Sequence, residues 1–433
     1  MTSLPSLTRA QVRAVRILRQ GFPAAAKTNP TELLARTGYV RTLGGVDAYL
    51  ALRARVPSLR RAVVDAAVAS GELSVSPAVR GCMYLVPSNE APLCLQFAGA
   101  LTKVRDARDR ERAGIAEGEI EALGKLVHKT LLQQGPLTTD ALRRALPAGS
   151  VRSLGERGKK AGTSSPLPGT LRALEFAGRI QRTPEGGRLD TNTYLWRAAP
   201  KGLLTSAKLP LDPHNCHALL LDRFLAHAGT ALLADFCAWS GLTQRDAKLA
   251  RPHSSAIDIA IADVGPALAA PDVLATVRKL DAAADAVALL PFEDNLLHLG
   301  FGPALFVDEA LHDLEVPVWG GGGATRLGDA AHMSFRCVLA DGCVSGFWEY
   351  DPDARTVVVQ WLRAASSHAQ KRVAELAEAT SAFLRDEIGH GHSFSLDTDD
   401  ELRRRLALLR SLPNGLGHAK GKPRSAKSAA RRK

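Results

Sequence analysis

The sequence predicts an α+β fold in which a helix, helix, hairpin order recurs, and a run of strands with two further helices closes the chain. Three observations carry this prediction: one sharply written unit, two fainter copies of it, and a change of character near residue 291. The sharp unit is residues 135–198. Gly135-Pro136-Leu137-Thr138-Thr139-Asp140 supplies a turn with helix-capping residues, and 141–146 follows as a short amphipathic helix. Residues 170–178 form a second helix closed by glycine. Arg179-Ile180-Gln181-Arg182 then alternates as a strand does, with a turn at 185–188 and a return strand at 193–196. Two helices and a hairpin in this order make the winged-helix arrangement, whose second helix fits the major groove of DNA.

The other elements follow in chain order. Residues 7–20 read as a helix, with Val12, Val15, Ile17 and Leu18 set among Arg9, Arg13, Arg16 and Arg19. Residues 46–53 and 59–70 are a helical pair closed by Gly71, and 73–75 with 82–86 make a hairpin around 77–81, the first copy of the unit. Residues 90–134 are a helical connection. Within the sharp unit, 147–168 is poor in apolar residues and reads as a flexible basic insertion. The last copy spans 219–291, with helices at 231–239 and 244–250 and a strand at 256–261. Beyond it, 335–339, 343–350 and 356–361 are strands joined by Asp341-Gly342 and Asp351-Pro352-Asp353-Ala354, both turn-forming. These predict a small antiparallel β-barrel, followed by helices at 368–388 and 400–412. The resulting division is three tandem winged-helix modules (1–115, 116–205, 206–290), a barrel with C-terminal helices (291–412) and a disordered basic tail (413–433).

Charge points to the partner. The 433 residues carry a net +12, unevenly placed: residues 1–61 hold eleven Lys/Arg against Glu32 and Asp47, and 143–182 hold nine against Glu156 and Glu175. The last fourteen residues hold seven basic side chains and no acid, whereas 263–315 hold ten acids against Arg278 and Lys279. Such segregation suits a face for a polyanion. Six scattered cysteines without a C-x-x-C, no secretory signal and no long apolar run predict a cytosolic, nucleoid-associated protein with reduced thiols and no membrane contact. His214-x-Cys216-His217 and His390-Gly391-His392 lack a second ligand pair, and Gly320–Gly323 lacks the Lys-Ser/Thr of a phosphate loop. No metal and no cofactor are therefore expected.

Local sequence adds a resemblance. Tyr49-Leu50-Ala51-Leu52-Arg53-Ala54-Arg55, Arg80-Gly81-Cys82-Met83-Tyr84-Leu85-Val86-Pro87, Leu290-Pro291-Phe292-Glu293-Asp294-Asn295-Leu296-Leu297 and the hairpin 338–350 occur in an order similar to that of the AlkZ-like (YcaQ-like) DNA glycosylases, bacterial enzymes of alkylation and crosslink repair. The resemblance implies three winged helices, a β-barrel, and excision of alkylated or crosslinked purines from duplex DNA. It also implies a catalytic Gln-apolar-Gln or Gln-apolar-Asp just before the Tyr-Leu-Ala helix. Here that place holds Arg41-Thr42-Leu43, and no glutamine lies between Gln20 and Gln96.

The missing glutamines matter because of the chemistry. An N7- or N3-alkylated purine is cationic and leaves readily, so the enzyme has to hold a water near C1′ and stabilise an oxocarbenium ion. Leu43 cannot hold that water, and Arg41 has the wrong sign for the transition state, though the right one for a phosphate. Asp47 is the nearest carboxylate and the candidate replacement. Candidate DNA contacts are Arg41, Arg53, Arg55, Arg60 and Arg61, with Arg80 and Tyr84 on the wing and Arg172, Arg179 and Arg182 in the second unit. The sequence leaves open a damaged-DNA glycosylase or binder, a non-catalytic regulator or architectural duplex binder, and a protein-interaction scaffold. The expected state is a monomer.

Overall fold

The computed structural model describes residues 4–24, 27–206, 210, 212–277, 285–318 and 323–415. One order of elements occurs three times: a helix, a short strand, two helices, and a hairpin whose second strand takes the short strand as a partner. In the first unit the helix is Pro30–Thr37 and the short strand Val40–Arg41. The helix pair is Asp47–Arg55 and Arg61–Ser70, and the hairpin Leu73–Pro77 with Met83–Pro87. The second unit runs Glu117–Gln134, Leu137–Thr138, Thr139–Ala145, Leu167–Phe176, then Ile180–Pro184 with Tyr194–Ala198. The third runs Pro213–Ala228, Thr230–Ala231, Leu233–Ser240, Gln244–Ala250, then Ile257–Ile261 with Gly265–Ala269. Local chemistry explains the boundaries. Thr138 and Thr243 cap the helices that follow them through side-chain oxygens, while Gly71 and Gly241 end helices in the left-handed conformation.

Three expectations are corrected. The first residues do not stay with the first unit: Ser6–Leu7 adds a parallel strand to the third sheet, Ser6 opposite Ala260. The Arg9–Arg19 helix follows it, because Arg16 is buried and donates to the carbonyls of Ala228 (2.6 Å), Thr230 (3.0 Å) and Gly300 (3.3 Å). The 147–168 insertion is ordered rather than flexible. It contains a helix, Gly155–Lys160, and buries Leu154 with Ala113, Ile115 and Ile120. Its arginines hold backbone, Arg157 donating to the carbonyls of Glu111 (2.6 Å) and Arg112 (2.8 Å) at the end of the Ala91–Ala113 helix. Among the described residues no sheet closes into a barrel. Ala288–Leu290, Arg336–Ala340, Cys343–Asp351 and Thr356–Trp361 form an open four-stranded antiparallel sheet in that order. Almost every residue of Cys343–Asp351 is buried on both faces, so the sheet is covered rather than closed. The helix Ser367–Ala382, its π-turn continuation Phe383–Ile388, and Asp399–Ser411 supply part of that cover.

The cores show which pieces depend on each other. The first unit shares one core with the C-terminal sheet and helices, with Tyr49, Leu50, Trp348, Phe383 and Leu402 packed together. The third unit shares another with the hairpin of the first and the far side of that sheet, through Tyr84, Phe224, Phe236, Leu290 and Phe335. The second unit keeps its own core around Val127, Leu142, Leu171, Ile180 and Trp196. The basic tail beyond Gly415, most of the Gly320–Gly323 run and part of the acidic block (278–284) lie outside the described residues. No described helix is long and apolar enough to cross a membrane.

Candidate nucleic-acid interface

The Val40–Arg41 strand pairs antiparallel with Met83–Pro87, placing Arg41 opposite Tyr84, and Thr42 N–H continues the ladder to the Met83 carbonyl at 3.1 Å. Residues 290–295 lie against this strand. Asn295 pins them by donating its side-chain amide to the carbonyls of Thr37 (3.2 Å) and Tyr39 (2.9 Å). Glu293 adopts a positive φ of 52°, uncommon for a non-glycine, and its carboxylate is paired with Arg41. The other Glu293 oxygen lies 3.8 Å from Nδ1 of His332, whose ring stacks on His298 with centroids 5.1 Å apart. Burial, then the neighbouring His332, lowers the His298 pKa to about 3, so this imidazole is neutral at physiological pH. Burial works against the charge on Arg41, but Glu293 more than restores it, and the net pKa is raised. Tyr84 is buried in the core, its phenol pushed up to about 12 chiefly by desolvation, which corrects its assignment as a DNA contact.

The hairpin of the first unit turns beside this cluster, at Arg80 (φ 57°) and Gly81 (φ 71°). A Cβ on Gly81 would sit 2.6 Å from Thr102 Cγ2, 3.0 Å from Arg172 Nη2 and 3.5 Å from Arg105 Nη2, so the tip approaches two other helices as closely as glycine permits. The Arg80 stem packs on Gly241, the turn between the helix pair of the third unit, where a Cβ would lie 3.0 Å from Arg80 Cγ. Arginines of the first unit, the Ala91–Ala113 helix and the second unit therefore meet at one place, beside a turn of the third. Asp106 is their shared counter-ion, 3.3 Å from Arg172 Nε and 3.8 Å from Arg105 Nε, while accepting from Thr102 Oγ1 at 2.8 Å. Arg80 and Arg105 are exposed, and the Arg172 side chain is 38% exposed although its Nη2 is buried without a hydrogen-bond partner.

The other sequence candidates are spread elsewhere. Arg55 is buried in a bidentate pair with Asp294 (2.6 and 2.7 Å) and faces no solvent, which corrects its assignment to DNA. Arg53 lies over the Phe383 ring at 4.1 Å and donates to the Leu59 carbonyl. The Arg60 side chain and the Arg61 backbone N–H engage Glu387, while the Arg61 guanidinium pairs with Asp65, so these three lie along the seam with the C-terminal helices. Arg182 is committed to Glu175 (2.5 and 2.7 Å) and to the Trp196 face, and Arg179 is exposed near His128.

Asp47 is also corrected. It is 5% exposed, accepts from Arg336 Nε at 2.9 Å and Nη2 at 3.4 Å, and takes the Phe292 N–H at 3.4 Å. Arg336 continues to Glu349 (2.7 Å), which accepts from Arg405 (2.7 Å), which in turn reaches Asp397 (3.0 Å). Asp47 is thus the end of a buried ionic chain tying the first unit to the C-terminal sheet. Both of its oxygens are taken up by Arg336, and one also by the Phe292 N–H. Sequence reasoning missed Glu293, Arg105 and Asp106. In sequence Glu293 is one position of the Leu290–Leu297 segment, and Arg105 one of several arginines in the helical connection 90–134.

A family model described as "AlkZ-like: DNA glycosylase AlkZ-like" matches residues 35–385. Among solved structures, the chain is similar to the Streptomyces sahachiroi DNA glycosylase AlkZ. The TM-score is 0.67 and the identity 18%, over 87% of this chain and 97% of that one. No curated protein matches significantly.

Proposed function

The chain belongs to the AlkZ-like DNA glycosylase family, and from that premise we propose that it binds duplex DNA and releases alkylated purines from it. The three repeated units are read as winged-helix modules, spanning about 30–87, 117–198 and 213–269 by the order of their helices and hairpins. One observation carries the DNA reading: Arg80, Arg105 and Arg172 come from separate elements and gather at the wing tip. Arg41 lies in the strand that pairs with this hairpin, and its charge and that of Arg80 both act on the Tyr84 phenol. Such a cluster suits phosphate contact, which gives affinity and register without reading bases. Among the sequence candidates, Arg41, Arg80 and Arg172 are assigned to phosphates; Arg179 is an outlying contact. The protein is read as a monomer of the bacterial cytoplasm.

A second reading, a duplex binder without excision activity, is favoured by Arg41-Thr42-Leu43 at the motif position and by the engagement of Asp47 with Arg336. The deciding experiment incubates the protein with a duplex carrying N7-methylguanine and measures free base. Release above the spontaneous rate supports excision; binding of the duplex with no release supports the second reading.

A further inference from the structure

We propose that Glu293 is the catalytic carboxylate of this chain, holding the water that attacks C1′; the proposal rests on the excision reading above. A hollow with room for about one water is lined by Thr37, Val40, Arg41, Phe292, Asn295 and three carboxylates. The carboxylates differ in what holds them. Asp294 is locked in a bidentate pair with Arg55, and both side chains are inaccessible. Asp47 is locked by Arg336, which is itself wholly buried. Glu293 is held by Arg41, whose side chain is 23% exposed. That accessibility decides the matter. A DNA phosphate can compete for Arg41 but cannot reach Arg55 or Arg336, so only the Glu293 pair is exchangeable on binding.

The position supports the chemistry. Arg41 occupies the strand just ahead of the Asp47–Arg55 helix, and Glu293 is brought to it by a strained turn at φ 52° between Phe292 and the Asp294 cap of the next helix. Strain of this kind persists only where the surroundings impose it. The second Glu293 oxygen, 3.8 Å from His332 Nδ1, is beyond hydrogen-bond length from that atom and can take a water. In the step, the water oxygen bonds to C1′ as the C1′–N9 bond breaks. The bonding pair leaves with the purine and neutralises its cationic ring. One water proton passes to the Glu293 carboxylate and then to solvent, leaving a hydroxyl on C1′. Before the proton moves, the carboxylate charge also stabilises the oxocarbenium ion.

The test uses full-length protein and a duplex with one N7-methylguanine, under single-turnover conditions, with affinity for an abasic-site duplex measured in parallel. Glu293→Gln should slow base release by about 100-fold or more while binding the abasic duplex as tightly or more tightly, because a negative charge has been removed. Glu293→Asp keeps the pair with Arg41 but withdraws the carboxylate by one methylene, and should also slow release while remaining folded. Release by Glu293→Gln within threefold of wild type overturns the assignment and leaves the excision reading standing. Parallel loss of release and abasic binding in both variants also overturns it, since that marks a structural pair. Duplex binding by the wild type with no release overturns the excision reading and Glu293 with it.

Discussion

Replacing Asp47 separates an anchor from a catalyst. Asp47→Ala removes the acceptor for two Arg336 nitrogens, at 2.9 and 3.4 Å, and leaves the Phe292 N–H unpaired. A charge-assisted hydrogen bond is worth about 1.5–3 kcal/mol, and an orphaned buried donor costs about 1–3 kcal/mol. Arg336 would still hold Glu349, the Gly391 carbonyl and Ser393, so its charge is not stranded. The loss should therefore be about 3 kcal/mol, the low end of what breaking a buried pair costs. At roughly 1 °C per kcal/mol for a chain of this length, the thermal unfolding midpoint should fall by roughly 3 °C. Asp47→Asn, which keeps shape but not charge, should lose less. Differential scanning calorimetry measures both. At a temperature where both variants remain folded, base release should persist. A variant that loses release while its midpoint stays at the wild-type value refutes the anchoring role.

Other consequences follow from the same geometry. Arg55→Ala strands Asp294 in the interior and should cost about 3–5 kcal/mol, read as a lower urea midpoint. Gly81→Val forces a branched side chain into φ 71° and against Thr102 and Arg172. It should weaken duplex binding and cost about 1–3 kcal/mol, seen by titration and thermal melt. His227 is buried, and desolvation lowers its pKa to about 4 from an ordinary 6.5. The unfolded chain therefore binds this proton first. The stability it confers is complete above pH 6.5 and is lost as pH falls toward 4, by at most about 1.4 kcal/mol per pH unit. His298, lowered to about 3, adds to the same trend. Urea midpoints from pH 7 to 4.5 should fall accordingly, and a His227→Gln variant should show a shallower slope.

The units were legible in the sequence because their signals are local. Glycine at a helix end and alternating apolar residues place the second hairpin at 179–182 and 193–196, found at 180–184 and 194–198, and the third helix pair at 231–239 and 244–250, found at 233–240 and 244–250. What failed was non-local. Pairing of Ser6 with Ala260 spans the chain, and nothing in the first twenty residues names that partner. The insertion 147–168 looked unstructured because arginines on backbone carbonyls, rather than an apolar core alone, hold it. The barrel was inferred from three strands whose burial on both faces comes from helices far along the chain. For the site, arginine positions were readable but their partners were not. Arg55 and Arg41 look alike in sequence, yet one meets Asp294 in the core and the other, itself partly exposed, meets the largely buried Glu293 side chain.

The convergence of arginines at the wing tip is tested most directly by the salt dependence of binding to an undamaged duplex. Wild type should bind with a steep loss of affinity as salt rises. Combined Arg80→Ala, Arg105→Ala and Arg172→Ala should weaken binding and reduce the log–log slope by about 2.7, or 0.9 for each phosphate contact. An unchanged slope and affinity in that folded triple variant would place the DNA elsewhere on the molecule.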